Sequence, residues 1–200
     1  MPPDAATRRW AYGLPEFTGH DGYRYEYIAG ELVVTRFSSP WHQEVIGRLL
    51  LLMHPFAKAH QLGRVCLGPV DIVFAIGDLL APDLAFVRRD RLTIIGERAI
   101  EAPPDLIVEV VHEVTEARDR GIKRERYALY GVPEYWIVDP WKGQVDLFRL
   151  QEAAEAPLTL TAGTFEWRPV QDEPTLTIDV AELFKNVGCS DAGGMQAKGV

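Results

Sequence analysis

A short apolar run, Leu106–Val111, limits the folds open to this chain more than any other segment. The run is rich in β-branched residues, which is typical of a central strand covered on both faces. One carboxylate, Glu109, lies in the middle of the run. Because side chains of a strand alternate between its two faces, Glu109 is on the same face as Ile107 and Val111. A carboxylate buried in a strand is unfavourable unless a metal ion, a proton or a cationic side chain compensates its charge. The rest of the chain therefore has to supply a partner for Glu109.

The other periodic segments predict a fold of mixed type. A charged segment, Thr115–Tyr130, predicts a helix that ends at Gly131 before Pro133. Apolar spacing predicts an earlier helix from Trp41 to about His60, with Pro40 in its first turn. Further strands are predicted over Tyr25–Ile28, Leu32–Arg36, Arg64–Leu67, Val70–Ile76, Leu84–Val87, Glu134–Val138 and Val145–Leu150, with a final hairpin of Leu158–Thr161 and Thr164–Arg168. Residues 88–101 are predicted to be an exposed connection, and Asp179 the N-cap of a last short helix.

This order of elements predicts an α/β (α+β) fold with a central mixed β-sheet flanked by helices. The centre of the sheet is expected to be Leu84–Val87, Leu106–Val111 and Glu134–Val138. A chain of 200 residues suits one domain with a full hydrophobic core. We expect an N-terminal arm over residues 1–22, a single domain over residues 23–187 and a disordered tail over residues 188–200.

Charge and cysteine content exclude some classes of protein. The formal net charge of −8 argues against a protein whose whole surface binds nucleic acid. It leaves room for a local basic groove, because five cations crowd the second predicted helix: Arg118, Arg120, Lys123, Arg124 and Arg126. Cys66 and Cys189 have no metal-binding or redox spacing. The N-terminus is too polar for a signal peptide, and the longest apolar run, near Leu49–Met53, is too short to cross a bilayer. We expect a cytoplasmic protein without membrane contact.

A second carboxylate, Asp83, follows a proline and begins the strand Leu84–Val87. If this strand is the neighbour of Leu106–Val111, Asp83 and Glu109 converge on one point. Two carboxylates a few ångströms apart repel each other unless a divalent cation or a shared proton lies between them. Mg²⁺ suits a site with hard oxygens, few protein ligands and several waters, and such a site polarises a phosphoryl oxygen. A nearby cation would position the attacking water, and Lys123 on the following helix is the candidate.

Each of these residues also has an ordinary structural interpretation. Asp83 could do no more than begin a strand, and Glu109 could form a structural ion pair with an arginine of the helix. Lys123 could be an i,i+4 partner of Asp119. His112 followed by Glu113 invites a zinc site, which we reject because no second histidine stands at ligand spacing.

Several motifs at fixed order resemble the Uma-type restriction endonuclease family of the PD-(D/E)xK nuclease superfamily. They are Pro82-Asp83, Ala102–Val110, Arg118-Asp119, Lys123, Tyr127-Ala128 and Gly131–Pro140, with Tyr25–Val34 and His42 upstream. The resemblance spans roughly Tyr23–Leu150, and its most specific segment is Glu134–Pro140.

The resemblance implies a restriction-endonuclease-like core in which Asp83 and Glu109 bind Mg²⁺, with Mn²⁺ as a substitute. The lysine of the superfamily pattern would stand at position 111, which is Val111 here, so the family is expected to use Lys123 instead. Glu31, His42 and Tyr127 are accessory candidates. The implied function is a Mg²⁺-dependent endonuclease that hydrolyses DNA as a homodimer.

One departure from the family keeps an alternative open. The Ser-Pro-Ser-Thr run that usually follows the Glu-Val pair is replaced by His112-Glu113-Val114-Thr115, in which only the threonine is retained. The alternative is a catalytically inactive nuclease-fold protein that acts as a binding or assembly module.

Overall fold

The computed structural model of the protein describes residues 23–36, 39–75, 77–152 and 156–187. The expected N-terminal arm, the expected tail and Cys189 lie outside the described residues. The strands are β1 (Tyr23–Ile28), β2 (Glu31–Arg36), β3 (Gly63–Leu67), β4 (Ile72–Ala75), β5 (Asp78–Leu80), β6 (Leu84–Arg88), β7 (Leu106–Val110), β8 (Glu134–Asp139), β9 (Gln144–Arg149), β10 (Leu158–Leu160), β11 (Thr164–Trp167) and β12 (Leu176–Asp179). The α-helices are α1 (Pro40–Ala59), α2 (Glu116–Arg118), α3 (Arg124–Leu129) and α4 (Val180–Phe184).

The main sheet has six strands in the order β10-β9-β8-β7-β6-β3. Strands β7 and β8 are parallel, and the other neighbours are antiparallel, so the sheet is mixed as predicted. Its centre is formed by β6, β7 and β8, which confirms the predicted arrangement. Every residue of β7 is buried, as expected for a strand with both faces covered.

The two faces of β7 contribute to two separate hydrophobic clusters. Leu106, Val108 and Val110 belong to the cluster that contains α1, which begins at the predicted Pro40 and is capped by Ser39. Ile107 and Val111 belong to the cluster on the opposite face. Glu109 alternates onto this second face, so whatever compensates its charge has to come from the elements packed there.

A smaller sheet of four strands, in the order β2-β1-β5-β4, supplies part of that second face. The predicted hairpin is confirmed: β1 and β2 pair in antiparallel register, with Tyr25 opposite Val34 and a turn at Ala29-Gly30 in which both residues have positive φ. Strand β5, which the sequence did not predict, pairs with β1 through Tyr27 and Leu79. Strand β1 is thereby held where its buried side chains reach β7.

The helical segment after β7 differs from the single helix that was predicted. It consists of α2, a π-helical turn over Asp119–Lys123 and α3. Gly121 has φ −100° and ψ −105° inside the turn, which is outside the helical region. A π turn rotates the following residues around the helix axis and is often found at functional sites. The segment ends at Gly131, which has a φ of +80° as its predicted cap role requires.

Two predictions about the periphery are wrong. Strands β10 and β11 do not form a hairpin: β10 pairs with β9, and β11 pairs with β12. The connection after β6 is not exposed throughout, because it forms a 3-10 helix over Arg89–Ile94 and then buries Ile100, which bridges to Ile72.

The last short helix is capped by Asp179 as predicted. Among the described residues, no helix combines the length and the apolarity needed to cross a membrane.

Candidate active site

Asp83 and Glu109 lie side by side in the middle of the main sheet. Leu84 of β6 is opposite Val108 of β7 in an antiparallel pair, so Asp83, one residue earlier, reaches the level of Glu109, one residue later. The backbone N–H of Val110 donates to Asp83 Oδ2 at 2.8 Å. Each carboxylate has only 2% of its surface exposed. The convergence that strand order predicted is therefore present in the fold.

The approach of Asp83 to β7 depends on a close backbone contact with Gly68. The N–H of Gly68 donates to the carbonyl of Asp83 at 2.8 Å. A Cβ at position 68 would lie 2.0 Å from the carbonyl oxygen of Pro82. Only glycine fits this position without displacing the segment that carries Asp83.

Two cationic or polar side chains hold Asp83 in place. Arg24 Nη2 donates to Oδ1 at 2.6 Å, and His42 Nε2 lies 3.1 Å from Oδ2. Burial alone would raise the pKa of Asp83, but the hydrogen bond from His42 and the charge of Arg24 outweigh burial, so the pKa lies below its usual range. The surroundings of Asp83 therefore stabilise its ionised form, and His42 is a buried neighbour of it.

Glu109 is compensated from the following helical segment. Lys123 Nζ lies 2.5 Å from Glu109 Oε1, and the hydroxyl of Tyr127 donates to the same oxygen at 2.8 Å. Burial raises the pKa of Glu109 to about 8, although the charge of Lys123 lowers it. The neighbouring carboxylates of Asp119, Asp83 and Glu26 raise the pKa further. The two neighbouring carboxylates therefore differ in proton affinity, although they share one site.

Lys123 is fully buried, and its ammonium group is closest to Glu109. Its distance to Asp119 Oδ1, the expected i,i+4 partner, is 3.8 Å against 2.5 Å to Glu109 Oε1. Burial would lower the pKa of Lys123, but the charges of Glu109 and Glu26 outweigh burial and raise it. The lysine is therefore a permanent cation held between carboxylates, and the i,i+4 pair is its weaker interaction.

Glu26 is a site residue that the sequence interpretation passed over in favour of Glu31. Its Oε1 lies 2.9 Å from Lys123 Nζ and accepts from the N–H of Ala81 at 2.9 Å. Glu31 is exposed beside the hairpin turn, and none of the described contacts joins it to this cluster. Alternation along β1 carried the signal, because Glu26 shares a face with the buried Ile28.

Arg24 is a second residue that the sequence interpretation missed. It lies between the two carboxylates, with Nη2 2.6 Å from Asp83 Oδ1 and Nη1 3.9 Å from Glu109 Oε2. Burial would lower the pKa of Arg24, but Asp83 and Glu109 raise it above its ordinary value. The guanidinium thus stands where the sequence predicts a divalent cation.

The donor set can be compared with what Mg²⁺ requires. Within the described ranges, no group of three or more His, Cys, Asp or Glu side chains is arranged to hold a metal ion. The two expected ligands present Asp83 Oδ1 and Glu109 Oε2 toward Arg24. Mg²⁺ commonly binds through one or two carboxylates and keeps several waters, so the two carboxylates match its preference in number and chemistry, while the Arg24 guanidinium occupies the space between them.

The segment that departs from the family pattern forms a tight turn. The hydroxyl of Thr115 accepts from the N–H of His112 at 3.1 Å, and the N–H of Thr115 donates to the His112 carbonyl at 2.8 Å. Thr115, the residue retained from the family run, therefore closes the turn between β7 and α2.

The predicted basic groove on the second helix is not free for a ligand. Four of its five cations pair with carboxylates, and Arg124 stacks 5.4 Å from the centre of the Phe148 ring. The closest carboxylates are Asp119 for Arg118 at 3.8 Å, followed by Glu26 at 3.9 Å, Asp146 for Arg120 at 2.6 Å, Glu109 for Lys123 at 2.5 Å and Asp78 for Arg126 at 3.3 Å. These cations stabilise the fold and the site.

Two comparisons with known proteins found matches to this chain. A family model described as Uma2, putative restriction endonuclease, matches residues 12–181. The crystal structure of a putative nuclease belonging to DUF820 from Anabaena variabilis ATCC 29413 is similar to this chain with a TM-score of 0.71 and 16% sequence identity. The match covers 89% of this chain and 97% of that chain, and at this identity it shows the shared fold. Curated proteins gave no match.

Proposed function

Because the chain belongs to the Uma2 family of putative restriction endonucleases, we propose that it is a Mg²⁺-dependent endonuclease that hydrolyses phosphodiester bonds in DNA. The family supports a nuclease-like function, and the substrate and the metal are our extension of it. The juxtaposition of Asp83 and Glu109 on neighbouring strands carries the proposal. Two buried carboxylates that face one point form a ligand pair that suits a hard divalent cation.

In this proposal Asp83 and Glu109 hold the metal ion through Asp83 Oδ1 and Glu109 Oε2. A bound Mg²⁺ would polarise a phosphoryl oxygen and lower the pKa of a bound water. His42 and the Val110 N–H fix the orientation of Asp83. Tyr127 fixes Glu109 by its hydrogen bond to Oε1.

Lys123 is assigned the role of the catalytic cation. Its ammonium group lies at Glu109, where it would orient the attacking water or stabilise negative charge that develops on the phosphate. Glu26 holds Lys123 from the other side. Glu31 has no role in this mechanism.

Plasmid nicking tests the proposal directly. The purified protein should nick plasmid DNA with Mg²⁺ or Mn²⁺ and not with EDTA. Asp83→Ala and Glu109→Ala should each abolish nicking, because each removes one of only two protein ligands. Thr177→Ala, on the peripheral strand β12, is the control and should leave nicking unchanged. Nicking that survives both carboxylate substitutions rejects the assigned site.

We also propose that the protein acts as a homodimer in the cytoplasm. A homodimer presents two sites to the two strands of DNA. Support comes from exposed apolar side chains beside the edge strand β3, where Leu51 and Leu67 are 75% and 53% exposed. Light scattering during size-exclusion chromatography should give twice the chain mass. Cys66 is a free thiol, as is usual for cytoplasmic proteins.

One observation favours the alternative of an inactive binding or assembly module. Arg24 already compensates Asp83 and Glu109 without any metal ion. If the guanidinium cannot withdraw, the carboxylates are structural. The module is favoured by an absence of nicking together with an unchanged melting temperature on adding Mn²⁺. The nuclease is favoured by a metal-induced rise in melting temperature that Asp83→Ala removes.

A further inference from the structure

A cavity of about 440 Å³ lies at the end of the main sheet away from the carboxylates. Three of the residues that line it are cations, Lys58, Arg64 and Arg89, and its other polar side chains are His54 and Gln61. No carboxylate lines it. Its size falls within the range of about 300–1,000 Å³ that is usual for small-ligand pockets.

The three cations of this cavity are not compensated. Among the described residues, none of Lys58, Arg64 and Arg89 has a carboxylate within ion-pair distance, and all three are exposed. By contrast, Arg24, Arg118 and Lys123 at the candidate active site each lie within ion-pair distance of a carboxylate. On a chain with a net charge of −8, a patch without carboxylates attracts anions to one place.

The backbone holds these side chains at one corner of the fold. The N–H of Arg89 donates to the carbonyl of Leu62 at 2.9 Å, and Gly63 lies opposite Arg88 in the β3–β6 pair. Arg64 and Arg89 therefore emerge from adjoining strand ends. Lys58 lies in the last turn of α1, and its carbonyl accepts from the N–H of Gln61. The carbonyls at the C-terminus of the helix carry partial negative charge, and this hydrogen bond partly satisfies them, so they repel a bound anion less.

We propose that the Lys58–Arg64–Arg89 pocket binds a phosphate group. Arginine presents a planar fork of N–H donors that matches phosphate oxygens in a bidentate fashion, and lysine adds a point charge. A carboxylate ligand offers two oxygens and one charge, whereas a phosphate offers more oxygens and up to two charges to a set of three cations. Phosphate chemistry is therefore the better match for this set of donors.

Two sources could supply the phosphate. Asp83 directly precedes β6 and Arg89 directly follows it, so roughly 20 Å separate them at about 3.3 Å per strand residue. Along one DNA strand this distance corresponds to roughly six nucleotides at about 3.4 Å each. A backbone phosphate of the substrate, which rests on the proposed function, is one source. Free phosphate or a nucleotide is the other.

The first arm of the test measures phosphate alone. Inorganic phosphate and a nucleoside 5′-monophosphate are titrated into the full-length protein in EDTA, with binding followed by NMR chemical shifts. Arg64→Ala/Arg89→Ala should weaken binding at least tenfold. Arg168→Ala/Lys185→Ala removes the same charge from exposed arginine and lysine side chains that pair with Glu166 and Glu182, and it should leave binding unchanged. Melting temperatures confirm that both double variants fold.

The second arm measures duplex DNA in EDTA as a function of salt. Loss of one phosphate contact should lower the slope of log K against log [salt] by about 1 in the Arg64→Ala/Arg89→Ala variant. Weaker phosphate binding with a lower slope identifies the DNA backbone as the source, and weaker phosphate binding with an unchanged slope identifies free phosphate. A lower slope confined to this variant supports the pocket even when free phosphate binds too weakly to detect.

The pocket is rejected if the wild-type protein binds no phosphate and the slope does not change, or if the control variant loses binding equally. Neither arm depends on cleavage. Absence of plasmid nicking alongside phosphate binding would therefore reject the proposed function and leave the pocket intact.

Discussion

The buried cluster around Glu109 and the open pocket around Arg64 use cations in opposite ways. In the cluster, Lys123 has no exposed surface and lies between Glu109 and Glu26 at 2.5 and 2.9 Å. In the pocket, Arg64 is exposed and no carboxylate lines the cavity around it. A buried carboxylate needs a cation or a proton to compensate its charge, because water cannot solvate it. An exposed cation is solvated already and stays available to a ligand.

This difference shows why a count of basic residues along the sequence does not locate the cations that a ligand can reach. The helical segment Glu116–Leu129 is rich in arginine and lysine, and its arginines and lysine are paired or stacked. The three cations that line the pocket are scattered in sequence over α1, β3 and the 3-10 helix. Tertiary structure, rather than local density of charge, decides which cations a phosphate can reach.

The comparison predicts its largest effect at Lys123. Lys123→Ala leaves Glu109 and Glu26 buried without their shared cation, so we expect a loss of about 3–5 kcal/mol in the free energy of unfolding. Urea denaturation monitored by circular dichroism measures it. Adding Glu109→Gln to Lys123→Ala should restore part of the loss, because an amide at position 109 carries no charge at any pH. A single variant as stable as the wild-type protein would show that the cluster is solvated after all.

The strands and their centre could be predicted because they follow from local patterns. Glu109 stood out as the one charge in an apolar run, and Asp83 followed a proline at the start of a neighbouring strand. Antiparallel pairing of β6 and β7 then brings the two carboxylates together with no further information. The helix after β7 offered Lys123 as the cation, and the family resemblance favoured this role over an ordinary i,i+4 pair with Asp119.

Arg24 and Glu26 could not be predicted, because their contacts join distant parts of the chain. Arg24 and Asp83 are 59 positions apart, and Glu26 and Ala81 are 55. Their meeting depends on how the small sheet packs against the main one. The π turn was missed for a different reason. A glycine such as Gly121 indicates that a helix is weakened at that point, but it does not indicate that the turn contains an extra residue. The pairing of β11 with β12 instead of β10 was likewise a non-local choice.

A smaller loss of stability is expected where backbone packing positions the carboxylates. Gly68→Ala places a Cβ 2.0 Å from the Pro82 carbonyl, so the segment carrying Asp83 has to move. Overpacking of this kind should destabilise the protein by about 1–3 kcal/mol and reduce metal-dependent nicking. Gly47→Ala is the matched control, because a Cβ at that position of α1 meets nothing within 4 Å. Equal stability of the two variants would contradict the role given to Gly68.

The dependence of stability on pH should separate the buried cluster from the open pocket. The folded protein raises the pKa of Glu109 to about 8, above the ordinary value of about 4.3 in an unfolded chain. The folded state therefore keeps a proton on Glu109 that the unfolded chain releases. The stability that this proton contributes is full below pH 4 and is lost as the pH rises through 8. In EDTA, Glu109→Gln should flatten this fall between pH 5 and pH 8, as measured by urea denaturation. Arg64→Ala should leave the profile unchanged. An identical profile in Glu109→Gln and the wild-type protein would assign the titration to another group.

The smallest effect on stability is expected in the pocket itself. Lys58→Ala removes an exposed cation that has no carboxylate partner among the described residues, so the free energy of unfolding should change by no more than about 0.5 kcal/mol. The same substitution should weaken phosphate binding severalfold, because the ammonium group contributes charge to the ligand and not to the fold. Urea denaturation and phosphate titration on one preparation measure both quantities. A variant that loses stability while keeping its affinity for phosphate would mean that Lys58 has a structural partner, and the contrast between paired and free cations would then fail at this residue.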